Sequence, residues 1–421
     1  MRVREQKKGG IVFMRKAFTW KKTHIVGFLF CIGVFLKQFY LSSSGSVQIA
    51  DMVIATSVFA GLVMGLFRIY KIDWSLIIFV GLAFVVNAVY FIFYQSGFLI
   101  SSVYMVYNLL VVIMFRTLAQ DDTFILILSR VLKLNLLTQL AFFLAGVGTY
   151  FWSRYQGTFN DPNQFGFFIM MDLFLLVLCS AYQKTRVHPV WYVIAGLLII
   201  LSISAGMILA YEIFLVFHLL LPVLAKKNAR VKVLTILGIV VVTAALFLFG
   251  EQLLDWIVSL LNWDALTQAV SRITKKTGSS AGGTIENFIE DRQLKRIFSA
   301  PYYFLYGCGD GMHSRFLLIS GEYHEIHSSI IALCYYYGIV PYVFFLKWIK
   351  DNIKGMNVQY FGVFIATILE AFTLINHRQP FFWMLFVFGS ILVQKKQEHL
   401  VIKQDKNVAP ETAGGESAMQ V

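Results

Sequence analysis

A succession of apolar runs, each close to the roughly 20 residues that cross a bilayer, constrains this chain more than any other feature. They fall at 24–41, 50–67, 73–94, 98–115, 124–147, 163–182, twice within 189–224, and at 233–250, 326–348, 357–375 and 381–394. The stretch 189–224 is too long for one helix, and Ser202-Ile203-Ser204-Ala205-Gly206 breaks it. Charged residues make up only 14% of the chain, against roughly 25% in soluble domains. The expected fold class is an all-α polytopic membrane protein of about twelve transmembrane helices.

The net charge of +13 does not point to nucleic acid, because of where it sits. Basic residues gather in the tails and in alternate short loops, at Arg68 and Lys71, Arg116, Lys184 and Arg186, Lys226 to Lys232, and Lys347 to Lys354. That is the positive-inside pattern, and it places both termini in the cytoplasm. The expected organisation is a basic N-terminus over 1–23, nine helices over 24–250, one large extracytoplasmic loop over 251–325, three helices over 326–394, and a disordered cytoplasmic tail over 395–421. No small-residue cleavage site follows the first run, so it reads as a retained helix and not a signal peptide. Cys31, Cys179, Cys308 and Cys334 form no CxxC pair and read as small buried apolar residues.

The outer face collects Arg154, Arg272, Arg292, Arg296, His313, Arg315, His324, His327, His377 and Arg378. Positive charge is unusual there, and guanidinium groups grip phosphate oxygens in pairs, so a lipid diphosphate is the ligand class expected. Ordinary solvated loop charge is the alternative for any one arginine. Gly321-Glu322-Tyr323-His324-Glu325-Ile326-His327-Ser328-Ser329-Ile330 ends the large loop and opens an apolar helix. His324 and His327 are spaced to share a helix face. Three readings stand: a zinc pair with Glu322 or Asp310 as third ligand, polar capping, or a histidine kept neutral by the positive helix end and able to accept a proton. Asp161-Pro162 is a helix start, with an acidic cap and a proline that loses no hydrogen bond.

Three places together resemble the O-antigen polymerase/O-antigen ligase family of bacterial membrane glycosyltransferases, which includes the Wzy-type polysaccharide polymerases. Gly157-Thr158-Phe159-Asn160-Asp161-Pro162-Asn163-Gln164-Phe165-Gly166 is similar to the family's element at a helix start. Tyr306-Gly307-Cys308-Gly309-Asp310-Gly311 resembles its Gly-x-Gly element near the end of the large loop. Glu325-Ile326-His327-Ser328-Ser329, followed by Tyr336-Tyr337-Gly338-Ile339-Val340, resembles its His-Asn/Ser and Gly-Ile elements. The likeness spans roughly 140–395 and departs at one point. The family often carries Ser-Arg-Gly where this chain has Ser204-Ala205-Gly206.

The resemblance implies a GT-C-like bundle in the cytoplasmic membrane of a bacterium, with its active site on the outer face. The implied reaction moves a growing glycan from undecaprenyl diphosphate to a sugar hydroxyl of the next lipid-linked repeat, in capsule, exopolysaccharide or O-antigen assembly. His327 is the expected base, with His324 orienting it. Arg154, Arg292, Arg296 and Arg378 are the candidates for the diphosphate, and Asn160 and Asn163 for shaping the pocket. No cofactor or metal is expected. A flippase and a chain-length regulator are the protein partners implied. A ligase of the same family, or a lipid-linked oligosaccharide flippase, are the alternatives.

Overall fold

The computed structural model describes residues 21–40, 47–94, 98–151, 154–224, 289, 292–310 and 325–408. The expected helix at 233–250, most of the 251–325 loop, and with it Arg272, His313, Arg315 and His324, lie outside these residues, as do both extreme termini.

The described chain is helical apart from one two-stranded ribbon. In order it runs α1 (Lys22–Leu36), α2 (Ile49–Val63), α3 (Trp74–Tyr94), α4 (Phe98–Leu118), α5 (Asp122–Leu144), β1 (Thr149–Phe151), β2 (Arg154–Gly157), α6 (Pro162–Tyr182) and α7 (Pro189–Ser202). Next comes α8 (Ala205–Leu215), which continues through a π-helical turn (Val216–Leu220) to Leu224. Short helices α9 (Lys295–Ser299) and α10 (Tyr303–Tyr306) precede α11 (Ser329–Tyr337), α12 (Ile339–Ile353), α13 (Val358–Ala371) and α14 (Pro380–Val408). Among the described residues, five segments are long and apolar enough to cross a membrane: Lys71–Tyr94, Leu99–Leu118, Asp122–Leu144, Pro162–Tyr182 and Gly206–Leu224. The fold is that of an all-α membrane protein. At its centre α6 is buried almost all round, packed on α5, α7, α8 and α14.

Several expected features hold locally. Asp161 caps α6 by accepting from the Asn163 amide at 2.5 Å, with Pro162 in the first turn. The break in 189–224 falls where Ile203 turns left-handed (φ 49°) and Ser204 becomes the N-cap of α8.

Three expectations are corrected. The run 326–348 is two helices, broken at Gly338. The cause is a backbone-to-backbone contact with the Gly307 turn. A Cβ on Gly307 would lie 2.5 Å from the Tyr336 carbonyl oxygen, and one on Gly338 would lie 2.7 Å from that of Leu305. Both glycines also have positive φ, +81° and +83°, which side chains rarely adopt. The amides of Cys308 and Gly309 then bond the carbonyls of Tyr335 and Tyr336, at 3.2 and 2.8 Å. Second, α14 does not stop at 394 but continues to Val408. Lys395 anchors this extension, reaching Asp122 at 2.9 Å and lying over the Tyr182 ring. Third, Thr149–Phe151 and Arg154–Gly157 form an antiparallel ribbon between two expected helices.

One polar cluster ties the far end of the bundle together. Arg116 of α4 makes two hydrogen bonds to Asp73, at 2.8 and 2.7 Å, and further ones to Asn352 of α12 (2.8 Å) and Ser390 of α14 (2.5 Å). Trp348 Nε1 donates to the same carboxylate at 3.3 Å.

Candidate functional site

The opposite end of the bundle holds the expected site residues that fall within the described chain, and it is sunken. α13 has 14 residues and is therefore about 21 Å long, short of the roughly 30 Å hydrocarbon core. The turn after it drops between longer neighbours. Asn108 Nδ2, ten residues into α4 and so about 15 Å along it, donates to the Arg378 carbonyl at 3.2 Å. Asn87 of α3 likewise receives the Asp310 amide at 2.9 Å. The loops carrying Asp310 and Arg378 thus sit below the helix tops.

One side of the recess is built by the β1–β2 ribbon. Gly157 (φ +58°) faces Gln139, 2.7 Å from where a Cβ would stand, and lets the chain turn into α6. Arg154 donates to the Ser202 carbonyl (2.9 Å) and to Asn163 Oδ1 (2.6 Å). Ser204 Oγ donates to the same Asn163 oxygen at 2.9 Å. Arg154 therefore joins the start of α6 to the α7–α8 break, beside Ala205. On the other side of that break, a side chain at Gly206 would collide with Thr373, whose carbonyl accepts from Arg292 Nη1. Two of the four candidate arginines, Arg154 and Arg292, thus flank Ala205.

The backbone amide of His327 donates to the Arg292 carbonyl at 3.0 Å. α11 begins only at Ser329, with Ser328 Oγ capping the Ile331 amide at 3.3 Å. His327 therefore sits at a bend one residue outside the cap, half-buried and not within the helix. The expected sharing of a helix face with His324 does not apply to it. Ser329 fixes the neighbouring turn. Its hydroxyl accepts from the amides of Asn376 (2.6 Å) and His377 (3.2 Å) and donates to the Leu374 carbonyl (2.9 Å). Ser329→Ala strands those amides in the interior, so we expect a loss of about 1–3 kcal/mol, read as a lower denaturation midpoint of the purified protein.

Arg378 is placed differently from the other arginines. Its Nη1 contacts both oxygens of Glu325 (3.1 and 3.0 Å) and its Nη2 contacts Asp310 at 3.1 Å. Burial disfavours its charge, but Asp310 and Glu325 outweigh that and raise its pKa. Next to it, His377 is fully buried. Burial first, then the Arg378 charge, pushes its imidazole down to about 3, with Glu325 opposing. Unfolded chains take up that proton near the ordinary 6.5, so His377 favours folding above that pH. The benefit fades as pH falls toward 3. A melting temperature that drops between pH 7 and about 4.5, and drops less in His377→Gln, is the expected result.

Arg296 is fully buried. Its carbonyl accepts from Tyr335 at 3.1 Å, and its charge is felt by Tyr336, which also senses Asp310 and Glu325. Asn160 is exposed on the turn before α6. Of the zinc alternative, Asp310 is engaged by Arg378, and His324 and Glu322 lie outside the described residues. Glu325, Thr373 and Ser329 enter the site without having been singled out as binding groups. Their only signal was adjacency to His327 and to the 376–380 turn. In comparisons with known proteins, no family model and no curated protein matches the chain.

Proposed function

We propose that this membrane protein is a polymerase of lipid-linked oligosaccharide repeats. It would transfer a growing glycan from undecaprenyl diphosphate to a sugar hydroxyl of the next lipid-linked unit. The observation that carries the reading is the convergence of Arg154, Arg292, His327 and Arg378 on one recessed end of the bundle. They come from four separate chain segments: His327 bonds Arg292, Arg292 bonds Thr373, Arg378 bonds Glu325 two residues before His327, and Arg154 bonds Asn163 at the start of α6. The basic residues Arg68, Lys71, Lys184, Arg186, Lys347 and Lys350 mark the other end, so the positive-inside rule turns the recess outward. The proposed topology has about twelve spans, both termini in the cytoplasm and the large loop outside the cytoplasmic membrane of a bacterium.

In this scheme His327 takes the proton of the acceptor hydroxyl. The hydroxyl oxygen attacks the anomeric carbon in line as the bond to diphosphate breaks, inverting that centre. Undecaprenyl diphosphate leaves, with Arg154 and Arg292 meeting the charge that grows on it. The guanidinium groups supply the electrostatic role, so the chemistry calls for no metal. Because the recess lies below the helix tops, it suits a diphosphate tethered at the lipid surface. Repeats would reach it from a flippase, and a chain-length regulator would set when chains end.

A second reading has its own observation. Asp172, at the middle of α6, is fully buried, and Glu370 is buried beside Asn376. Ionisable groups inside the bilayer are what a flippase would need. Loss of the protein separates these cases. A polymerase predicts single lipid-linked repeats stranded on the outer face, and a ligase predicts long lipid-linked polymer. A flippase predicts repeats trapped on the inner face, which would overturn the polymerase reading.

A further inference from the structure

We infer that Arg378 and the small polar pocket beside it hold a neutral sugar edge of the acceptor, not the diphosphate. The inference rests on the glycosyl-transfer reading and divides the recess into two subsites. The pocket lies where the end of α1 and the start of α2 meet residues 378–379, and Lys37, Tyr40, Asp51, Tyr104 and Arg378 border it.

Charge argues first. Arg378 is held by two carboxylates, Asp310 and Glu325. Across the pocket Lys37 is paired with Asp51 at 2.7 Å. Two cations thus face three carboxylates, a balance of −1, and a phosphate group would meet net repulsion. Arg154 and Arg292 lie elsewhere in the recess, donating to Ser202 and Asn163 and to Thr373. Size argues next. The pocket has a volume of about 40 Å³, room for on the order of three waters. That suits a hydroxyl or hydroxymethyl group better than a diphosphate.

Hydrogen bonding argues last. The Lys37 side chain is only 5% exposed, and Asp51 is its sole hydrogen-bond partner among the described residues. Asp51 also accepts from Tyr107 and the Gln48 amide. Two ammonium N–H groups therefore remain. Arg378 Nε is also without a partner among the described residues. The Tyr40 hydroxyl accepts from Gln379 at 3.1 Å, leaving its own proton to give. A buried pocket with spare donors and no net positive charge fits the oxygens of a neutral sugar.

The test uses purified full-length protein and undecaprenyl diphosphate carrying no sugar. Lys37→Met and Tyr40→Phe are expected to bind it as the unaltered protein does, while Arg292→Ala loses about tenfold. In cells, Lys37→Met should lower polymer yield about tenfold and Tyr40→Phe about threefold, at unchanged protein levels. Tyr40→Phe keeps the ring, so it remains informative if Lys37→Met misfolds. A tenfold loss of carrier binding in either pocket variant would make this a phosphate subsite. Normal polymer yield in Tyr40→Phe would make the pocket structural. Either result overturns the inference and leaves the glycosyl-transfer reading standing. Absence of any carrier binding by the unaltered protein would instead overturn that reading, and this subsite with it.

Discussion

Replacing His327 by alanine is expected to cut polymer formation by about 10²–10⁴-fold, the usual contribution of a positioned general base. Single lipid-linked repeats should accumulate in its place, measured by mass spectrometry of lipid extracts. The fold should survive the change. His327 lies outside α11, and the bond that docks its segment on Arg292 comes from its backbone amide, which alanine retains. Protein levels in the membrane should therefore match those of the unaltered chain. Polymer of normal length and amount would remove His327 from the chemistry.

The largest effect on stability is expected at the other end of the bundle. Arg116→Met leaves Asp73, which is wholly buried, with Trp348 Nε1 as its remaining hydrogen-bond donor among the side-chain bonds described above. Breaking a buried pair from one side costs about 3–5 kcal/mol. Asn352 and Ser390 lose a donor as well, so α12 and α14 loosen from α4 together. Chemical denaturation of the purified protein reads this directly. The double variant Arg116→Met with Asp73→Leu should recover much of the loss, because no charge is then left unpaired. A single variant as stable as the parent would show that the cluster does not hold these helices together.

What was legible in the sequence was mostly local. The Asp161-Pro162 cap and the break at 202–206 depend on neighbouring residues, and both fall where expected. Hydropathy located the apolar segments but not their lengths in the fold. α1, α2, α7 and α13 have only 14 or 15 residues each, and that shortening sinks the site. Nothing local marks it, since apolar character continues past the helix ends. The break at Gly338 was hidden because its cause is the Gly307 turn, 31 positions earlier in the numbering. Asp73 and Arg116 are 43 residues apart, and only packing brings them together. The same holds for Arg154. As a loop arginine it was one candidate among four, and its place beside Ala205 emerges from the ribbon that carries it. Lys37 and Asp51 read as helix-end charges, and their position across from Arg378 is a tertiary fact.

Glycan transfer from a lipid diphosphate is tested with purified protein in lipid nanodiscs, supplied with lipid-linked repeats extracted from its own host lacking the protein. Undecaprenyl diphosphate released and glycosidic bonds formed are counted together. One diphosphate released per bond is expected, with both abolished in His327→Ala. Repeats that stay unlinked, with no undecaprenyl diphosphate released by the unaltered protein, would show that the chain does not carry out this transfer.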